Sequence, residues 1–587
     1  MTRKNKHKYQ NGDVFAAPGQ TPTSLSAQGP DFLQWGVIFL AAFVLRGLHL
    51  IAIQRQYPLF NLFIGDAASY NDWAKTLAQT GFASTGVFYQ DPLYPYLVAS
   101  IYRLFGYSPV LIRWIQITLG SLNCVLIADT TRRLFGKRAA WVAGGLSAAY
   151  GIFIFYEGTF LKEGVSVFLS SLALWSVVMA QQRATWRHWV CSGIFLGLLI
   201  LTRGNALLLA PIILFWLLFV SRQGLRRSIF LGGCFLAGFF LVLSPATFHN
   251  YRASHDLVLS TSQAGSNFYI GNHAGASGTY VPLVADRQTP DYEAQDARRI
   301  AEYETRRPLK PSEVSRFWFG QAFRFIAGNP SAWFSLLGTK TKLFLSGYEL
   351  PDVEDYYLAR RFSFVLRMPL VTYYVLLPLA LAGMLFYAKQ WRSLFFLYGF
   401  ALGNAASVIL FYVFSRYRLP SVPPLMVFAS AALSRGIGWC QERAWPRVAA
   451  AGLAVSALAW AWAPKELPLL ASSLANLGTA YRVLGQPEKA VQTLEEAIHL
   501  SPAMPEPHFT LANLYMARAD YDRAMPEYQR TIDLDPGQTE ARYLLGVAYF
   551  KRNDIARART EWTEVLRQQP SHPEALNAMQ VLSHVRS

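Results

Sequence analysis

The chain has 587 residues, with 54 Lys and Arg against 36 Asp and Glu for a formal charge of +18. A balance this basic suits a polyanionic partner, yet only 15% of the residues are charged and 52% are apolar, where soluble domains average about 25% charged. A soluble nucleic-acid binder is excluded, and apolar runs such as 228–246 and 366–387 reach the ~20 residues that a bilayer-spanning helix needs.

Residues 1–31 are polar, basic at the tip and rich in Gly, Pro, Ser and Thr, the composition of a disordered tail. The apolar run at 32–53 is too long and too far from the start for a cleaved signal peptide, so it predicts a permanent anchor with the basic tail in the cytoplasm. Beyond it, basic loops recur on every second crossing: Arg132, Arg133, Lys137 and Arg138; Arg183 and Arg187; Arg222, Arg226 and Arg227; Lys389 and Arg392; Arg435, Arg443 and Arg447. This positive-inside ladder predicts eleven spans, near 32–53, 109–130, 139–155, 164–180, 188–202, 204–220, 228–247, 366–387, 394–413, 419–434 and 448–463. An odd number leaves the C-terminal part outside.

The segment 92–106 is apolar but short, opens with prolines and holds Arg103, and reads as a juxtamembrane or re-entrant helix on the outer face. Two large pieces then lie outside, 55–108 and 248–365, and the second contains amphipathic text at 312–347 whose aromatics suit a helix in the interface. Cys124, Cys191, Cys234 and Cys440 lie in or beside apolar runs with no metal or disulfide spacing, and read as apolar filler.

From about residue 473 the composition turns soluble and a period of 34 appears, in Leu477, Leu511 and Leu545, in Tyr481, Tyr515 and Tyr549, in Ala490, Ala524 and Ala558, and in Pro502, Pro536 and Pro570. That is the tetratricopeptide pattern, a helix pair that buries its apolar face only by stacking on neighbours. Its groove suits a protein or peptide partner; bracing of the membrane part or self-association is the alternative. The predicted fold is all-α: a tail at 1–31, a multi-span domain at 32–463 with outer-face helices, and a three-repeat solenoid at 464–587.

Charged residues in short outer loops run against the positive-inside bias, so each needs a reason. Asp66 follows the first span, Asp91 and Tyr94 open the next helix, and Glu157, Lys162 and Glu163 sit at the mouth of a span pair; Arg203 lies in LTRGN (201–205), Arg416 and Arg418 in FSRYRLP (414–420). Singly, Asp66 can cap a helix, Lys162 and Glu163 can pair, and the arginines can snorkel to headgroups. Together they outline a membrane-edge cavity with one carboxylate and several cations, suited to an anionic lipid phosphate. The sequence has no GxxxxGK[ST] loop for a nucleotide.

The order of a basic tail, a span, GDAASYNDWAKTLAQTG (65–81), DPLYPYLVASIYRLFG (91–106) and a span ending RRLFGKR (132–138) resembles the protein O-mannosyltransferase and lipid A aminoarabinose transferase branch of the GT-C glycosyltransferases. FYEGTFLKE, LTRGN, SNFYIGNHAGASGTYVP and SRYRLP are similar to the same branch, and the likeness covers roughly 32–434. The resemblance implies a polyprenyl-phosphate sugar donor, transfer on the outer face with inversion, and a catalytic acid in the first outer loop, which maps onto Asp66. Asp66 has no partner in DxD spacing, its nearest acidic neighbour being Asp72, so a two-acid metal site departs from the pattern and no cofactor is firmly implied, though a divalent metal stays open.

A lipid-phosphate sugar already carries a good leaving group, so the chemistry needs a base for the acceptor and stabilisation of the departing phosphate. Asp66 is the expected base, and Lys162, Arg203, Arg416 and Arg418 are the expected phosphate ligands. Asp91, Tyr94, Glu157, Glu163, Asn267, Tyr269 and Asn272 are secondary candidates for sugar or acceptor contacts. The expected partners are the lipid-linked donor, membrane lipids and a protein docked on the repeats. The competing reading is a non-enzymatic membrane scaffold, or a lipid-linked glycan carrier, for which Asp66 is dispensable. The topology has a direct check: a reporter active only outside the cytoplasmic membrane, fused after Ser587, is expected to be active, and activity of a cytoplasmic reporter alone would remove both the odd span count and outer docking.

Overall fold

The computed structural model describes residues 31–284, 289–352, 354–461 and 470–584, so the expected basic tail falls outside the described residues apart from Asp31. The chain divides into two compact units, one of 1–53, 63–356 and 363–464, the other of 54–62, 357–362 and 465–587. Among the described residues there is no strand; an isolated parallel bridge joins Tyr150 and Val371.

In chain order the helices before the repeats are α1 (Phe32–Gln56), α2 (Asp66–Gln79), α3 (Leu93–Phe105), α4 (Pro109–Phe135), α5 (Lys137–Ala148), α6 (Gly151–Gly158), α7 (Glu163–Arg183), α8 (Trp186–Ile200), α9 (Leu209–Phe215), α10 (Leu225–Ser254), α11 (Ala264–Gly271), α12 (Pro290–Thr305), α13 (Pro311–Gly328) and α14 (Pro330–Leu345). They continue as α15 (Tyr356–Ala359), α16 (Phe364–Arg367), α17 (Tyr373–Phe386), α18 (Phe395–Ile409), α19 (Ser415–Arg418), α20 (Val422–Gln441) and α21 (Trp445–Ala461). Among the described residues, four helices, α1, α4, α7 and α10, are long and apolar enough to cross a membrane. Shorter apolar helices lie at 186–200, 204–220, 373–386, 395–409 and 445–458.

Some expected spans are interrupted, each for a local reason. The 139–155 run breaks between α5 and α6, where the Gly151 N–H donates to the Val371 carbonyl at 2.9 Å and the Val371 N–H to that of Ala149 at 3.0 Å. The 366–387 run is continuously helical only from Tyr373, because Pro369 offers no N–H and disfavours helix in the residue before it. The amphipathic text at 312–347 forms two helices, α13 and α14, with Pro330 in the first turn of the second.

Helices α8 and α10 make an especially close contact. A side chain at Gly193 would fall 2.0 Å from the Phe235 carbonyl oxygen, and one at Gly238 would fall 2.1 Å from that of Val190. Small residues let helix backbones approach where no hydrophobic effect drives them together in lipid.

In the second unit the 34-residue period becomes helix pairs: α22 (Leu470–Val483) with α23 (Pro487–Leu500), α24 (Pro505–Ala517) with α25 (Tyr521–Leu534), and α26 (Thr539–Lys551) with α27 (Ile555–Gln568), followed by α28 (Pro573–His584). Leu494, Leu511, Tyr528 and Leu545 are buried in one shared core, and Trp562 and Leu582 bury each other at the last pair. Segments 54–62 and 357–362 complete this unit: the Pro58–Phe60 turn packs on α22, the Tyr57 and Phe362 rings meet at 5.3 Å, and Arg361 grips the Glu496 carboxylate through two hydrogen bonds of 3.0 and 2.7 Å. Terminal repeats need a cover for their outer apolar face; α28 covers one end and the 54–62 turn lies on the first helix of the stack.

Gly238→Ala is expected to lower the thermal midpoint of the detergent-solubilised protein, at roughly 1–3 kcal/mol for overpacking. Gly233→Ala in the same helix, where an added carbon meets nothing within 4 Å, should leave the midpoint unchanged or raise it.

Candidate active site

The site is assembled from segments far apart in sequence. Gly65, with φ of +53°, takes the left-handed conformation that glycine tolerates best and turns the chain into α2, which makes Asp66 its first residue. The short α19 delivers Arg416, whose guanidinium reaches the Asp66 carboxylate at 2.7 Å and that of Asp352 at 2.6 Å. Gln90 donates to the other Asp66 oxygen at 3.2 Å, and Ser69 holds Gln90 at 3.2 Å. The Tyr417 hydroxyl accepts from Arg416 at 2.9 Å and donates to Asp352 at 3.3 Å.

Behind this pair lies a buried layer of further ion pairs. Arg203 donates to Glu163 at 2.9 Å, to Ser166 at 3.2 Å and to the Arg416 carbonyl at 3.0 Å. Lys162 holds Asp91 at 2.5 Å, while the other Asp91 oxygen accepts the Gly204 N–H at 3.2 Å. Arg418 binds Glu349 at 2.7 Å and the carbonyls of Phe344, Ser346 and Tyr348 at 2.7–3.2 Å. Exposure separates the layers: the Asp66 and Asp352 side chains keep 18% and 17% of their surface, against 6% for Arg416, 4% for Arg203 and 0% for Glu163.

These contacts change the expected electrostatics. The four cations, Lys162, Arg203, Arg416 and Arg418, do not stand free for a phosphate, since each is held by a carboxylate; with Asp66, Asp91, Glu163, Glu349 and Asp352 the acids outnumber them. Burial works to raise the Asp66 carboxyl, but the Arg416 guanidinium, aided by Lys162 and Gln90, outweighs it and holds the group below the ordinary carboxylate range. Asp352 goes the other way, because burial and the Asp66 charge exceed what the shared Arg416 returns. Glu293, on α12, accepts a hydrogen bond from Tyr280, and burial together with the charges of Asp66 and Asp352 pushes it up to about 7.

Other expected site residues are placed elsewhere. Glu157 pairs with the buried Arg46 of α1. Tyr94 donates to Gln116 at 2.7 Å, and Gln116 in turn holds the Glu157 and Thr159 carbonyls. Asn272 is buried between α11 and α14, with the Tyr269 ring tilted against Trp318 at 4.7 Å; Asn267 lies within α11. Asp352, Glu349, Glu293 and Gln90 are not legible as site residues in the sequence, although the acids of YELPDVED (348–355) fall in the segment 248–365 that the sequence reading expects outside. Among the described residues no three His, Cys, Asp or Glu side chains converge as a metal site. Asp66 and Asp352 are both committed to Arg416, and that donor set does not fit a divalent ion.

The chain thus combines an all-helical domain that holds a buried cluster of ion pairs with a set of stacked helix pairs. Residues 90–249 match the family described as dolichyl-phosphate-mannose-protein mannosyltransferase, and residues 484–530 and 509–573 match tetratricopeptide repeats. The chain is similar to an Archaeoglobus fulgidus oligosaccharyltransferase tethered to an acceptor peptide, at 15% identity over 80% of this chain and 59% of that one, TM-score 0.44. The same archaeal enzyme with an inhibitory peptide and a dolichol-phosphate gives 15% identity over 79% and 59%, TM-score 0.43. The first tetratricopeptide domain of human RPAP3 gives 22% identity over 20% of this chain and 93% of that one, TM-score 0.20. Comparison with curated proteins gives no match.

Glu293 generates a pH prediction. Its carboxyl takes up a proton more readily folded, at about 7, than at its ordinary 4.5, so its contribution to stability is present below pH 4.5 and is lost as pH rises through 7. Glu293→Gln should therefore flatten the fall of the thermal midpoint across that window; an unchanged slope would count against the placement of Glu293 beside the two aspartates.

Proposed function

We propose that the protein transfers a sugar from a polyprenyl-phosphate donor to an acceptor on the outer face of the cytoplasmic membrane, with inversion at the anomeric carbon and Asp66 as the base. The observation that carries this reading is the exposure pattern: Asp66 and Asp352 are the accessible acids of an otherwise buried ion network. The matched family is described by a dolichyl-phosphate sugar and a protein acceptor, which supports the donor and acceptor classes.

The shared Arg416 links the two halves of the reaction. As the acceptor oxygen attacks the anomeric carbon, its proton passes to the Asp66 carboxylate, and the bond from that carbon to the phosphate oxygen breaks, with the electron pair leaving on the lipid phosphate. Protonation of Asp66 removes one of the two negative charges that Arg416 holds most closely. The guanidinium thereby gains effective positive charge as the phosphate gains negative charge, so stabilisation is strongest in the transition state. Asp352 stays on Arg416 and keeps it oriented, while Lys162 and Arg203 position the floor through Asp91 and Glu163. The repeat domain docks a partner or acceptor protein. It shares its compact unit with 54–62, the segment that leaves the first span outward in the expected topology, which supports an outer placement.

In membranes supplied with a labelled polyprenyl-phosphate sugar, Asp66→Asn is expected to lower transfer by at least the 10²–10⁴-fold typical of a general base, with solubilised yield retained. Undiminished transfer would end the catalytic assignment and favour a scaffold. Asp352→Asn should cost less, since the base, Asp66, remains in place on Arg416.

A further inference from the structure

The hydroxyls of Tyr70 and Tyr156 lie at the Arg416 cluster and make no hydrogen bond among the described residues. Both side chains are almost fully buried, the residues being 1% and 3% exposed. Tyr70 follows Asp66 by one turn of α2, and residues four apart on a helix share a face at about 5–6 Å between Cβ atoms. Its ring stands edge-on to that of Tyr94 at 5.3 Å, with the Lys162 ammonium 6.0 Å from its centre. Tyr94 is itself fixed by Gln116, so the Tyr70 side chain is held in place by its neighbours. Of the charged groups, Asp66 acts most strongly on the Tyr70 hydroxyl, followed by Glu163, Arg416 and Asp91. Tyr156 belongs to α6, and the charges acting on its hydroxyl are those of Arg416, Glu163, Glu349 and Asp352. The two phenols therefore reach the Arg416–Glu163 contact, 3.9 Å long, from different helices.

A buried hydroxyl without a partner is costly, and the Tyr70 hydroxyl has three carboxylates near it yet bonds to none of them among the described residues. Burial and the acids hold this phenol well above its ordinary range. At pH 7 it keeps its proton and can both donate and accept. Two more atoms of the same contact are buried without a partner among the described residues: Arg416 Nε, a donor, and Glu163 Oε2, an acceptor. A phosphate oxygen only accepts, so it would leave Glu163 unpaired beside a second negative charge. An alcohol gives and takes. Being neutral, it also adds no charge to a cluster whose acids already outnumber its cations.

We infer that Tyr70 and Tyr156 form a subsite for the ring hydroxyls of the transferred sugar. This assignment rests on the reading of the cluster as a glycosyl-transfer site and adds which part of the donor these residues hold. Tyr70 keeps the sugar beside the base, because it shares a helix face with Asp66, and Arg416 is left to the phosphate. Recognition of the sugar is thus separate from recognition of its lipid phosphate, and the donor is a sugar with free ring hydroxyls.

The two recognitions are separated by kinetics. Membranes containing the full chain are supplied with labelled farnesyl-phosphate mannose, the sugar in the description of the matched family, with farnesyl phosphate as a sugar-free competitor. Tyr70→Phe and Tyr156→Phe should each raise the KM for the donor roughly 3–10-fold, the loss of one neutral hydrogen bond, and lower kcat by less than that. The inhibition constant of farnesyl phosphate should stay near the wild-type value. Each change removes a hydroxyl that has no partner, so the thermal midpoint should hold or rise; a lowered midpoint would show that the hydroxyl is bonded at rest and would overturn the subsite. An equal rise in KM and in the inhibition constant would move the tyrosines to the phosphate and overturn it too. So would unchanged values of both, which leave the gap to water. Absence of transfer by the wild-type protein would instead sink the glycosyl-transfer reading on which the subsite stands, whereas transfer with unshifted variants sinks the subsite alone.

Discussion

The guanidinium of Arg416, held between Asp66 and Asp352, is the constraint around which the membrane domain's charged layer is arranged. The two carboxylates arrive from loops almost three hundred residues apart, and neither has another strong cation within direct reach. A buried arginine with two acids leaves a surplus negative charge, tolerable because Tyr417 and Gln90 share it through hydrogen bonds and both acids keep some contact with solvent. Breaking such a pair by removing one partner costs about 3–5 kcal/mol where the remaining charge is buried. The short α19 is thus fixed in place by electrostatics more than by its own four residues.

The second layer extends this logic inward. Arg203 touches both Glu163 and the backbone of Arg416, and Arg418, two residues on, collects the carbonyls that end α14. One stretch, SRYR, therefore ties together the start of α2, the start of α7 and the segment before Asp352. The network is close-knit but not fully satisfied, since Arg416 Nε and Glu163 Oε2 are buried without a hydrogen-bond partner among the described residues. In the proposed reaction the surplus of acids has a chemical consequence as well: positive charge is exposed only as Asp66 accepts the proton, so stabilisation of the leaving group is timed to that step.

The repeat unit rests on different physics. Its stability comes from stacked apolar faces with a fixed period, and its ion pairs are exposed ones worth little individually. The inclusion of 54–62 and 357–362 in that unit means that its first helix is covered by chain from outside the repeats, through aromatic contact and the Arg361–Glu496 pair.

Sequence alone determined the classes of element. Apolar runs mark membrane helices because hydrocarbon leaves no alternative to internal hydrogen bonding, and the 34-residue period marks the solenoid because each pair needs its neighbour. The chain's charge pattern singled out Asp66, Lys162, Arg203, Arg416 and Arg418 one by one. Only the tertiary structure decided who partners whom, since an ion pair between residues 66 and 416 leaves no trace in local spacing. It turned the expected row of free cations into neutralised pairs, brought Asp352 and Glu293 to the same place, and moved Glu157 to Arg46. Periodicity is a local property and survives in one dimension; charge compensation depends on distance in three, and so appears only when the chain is folded.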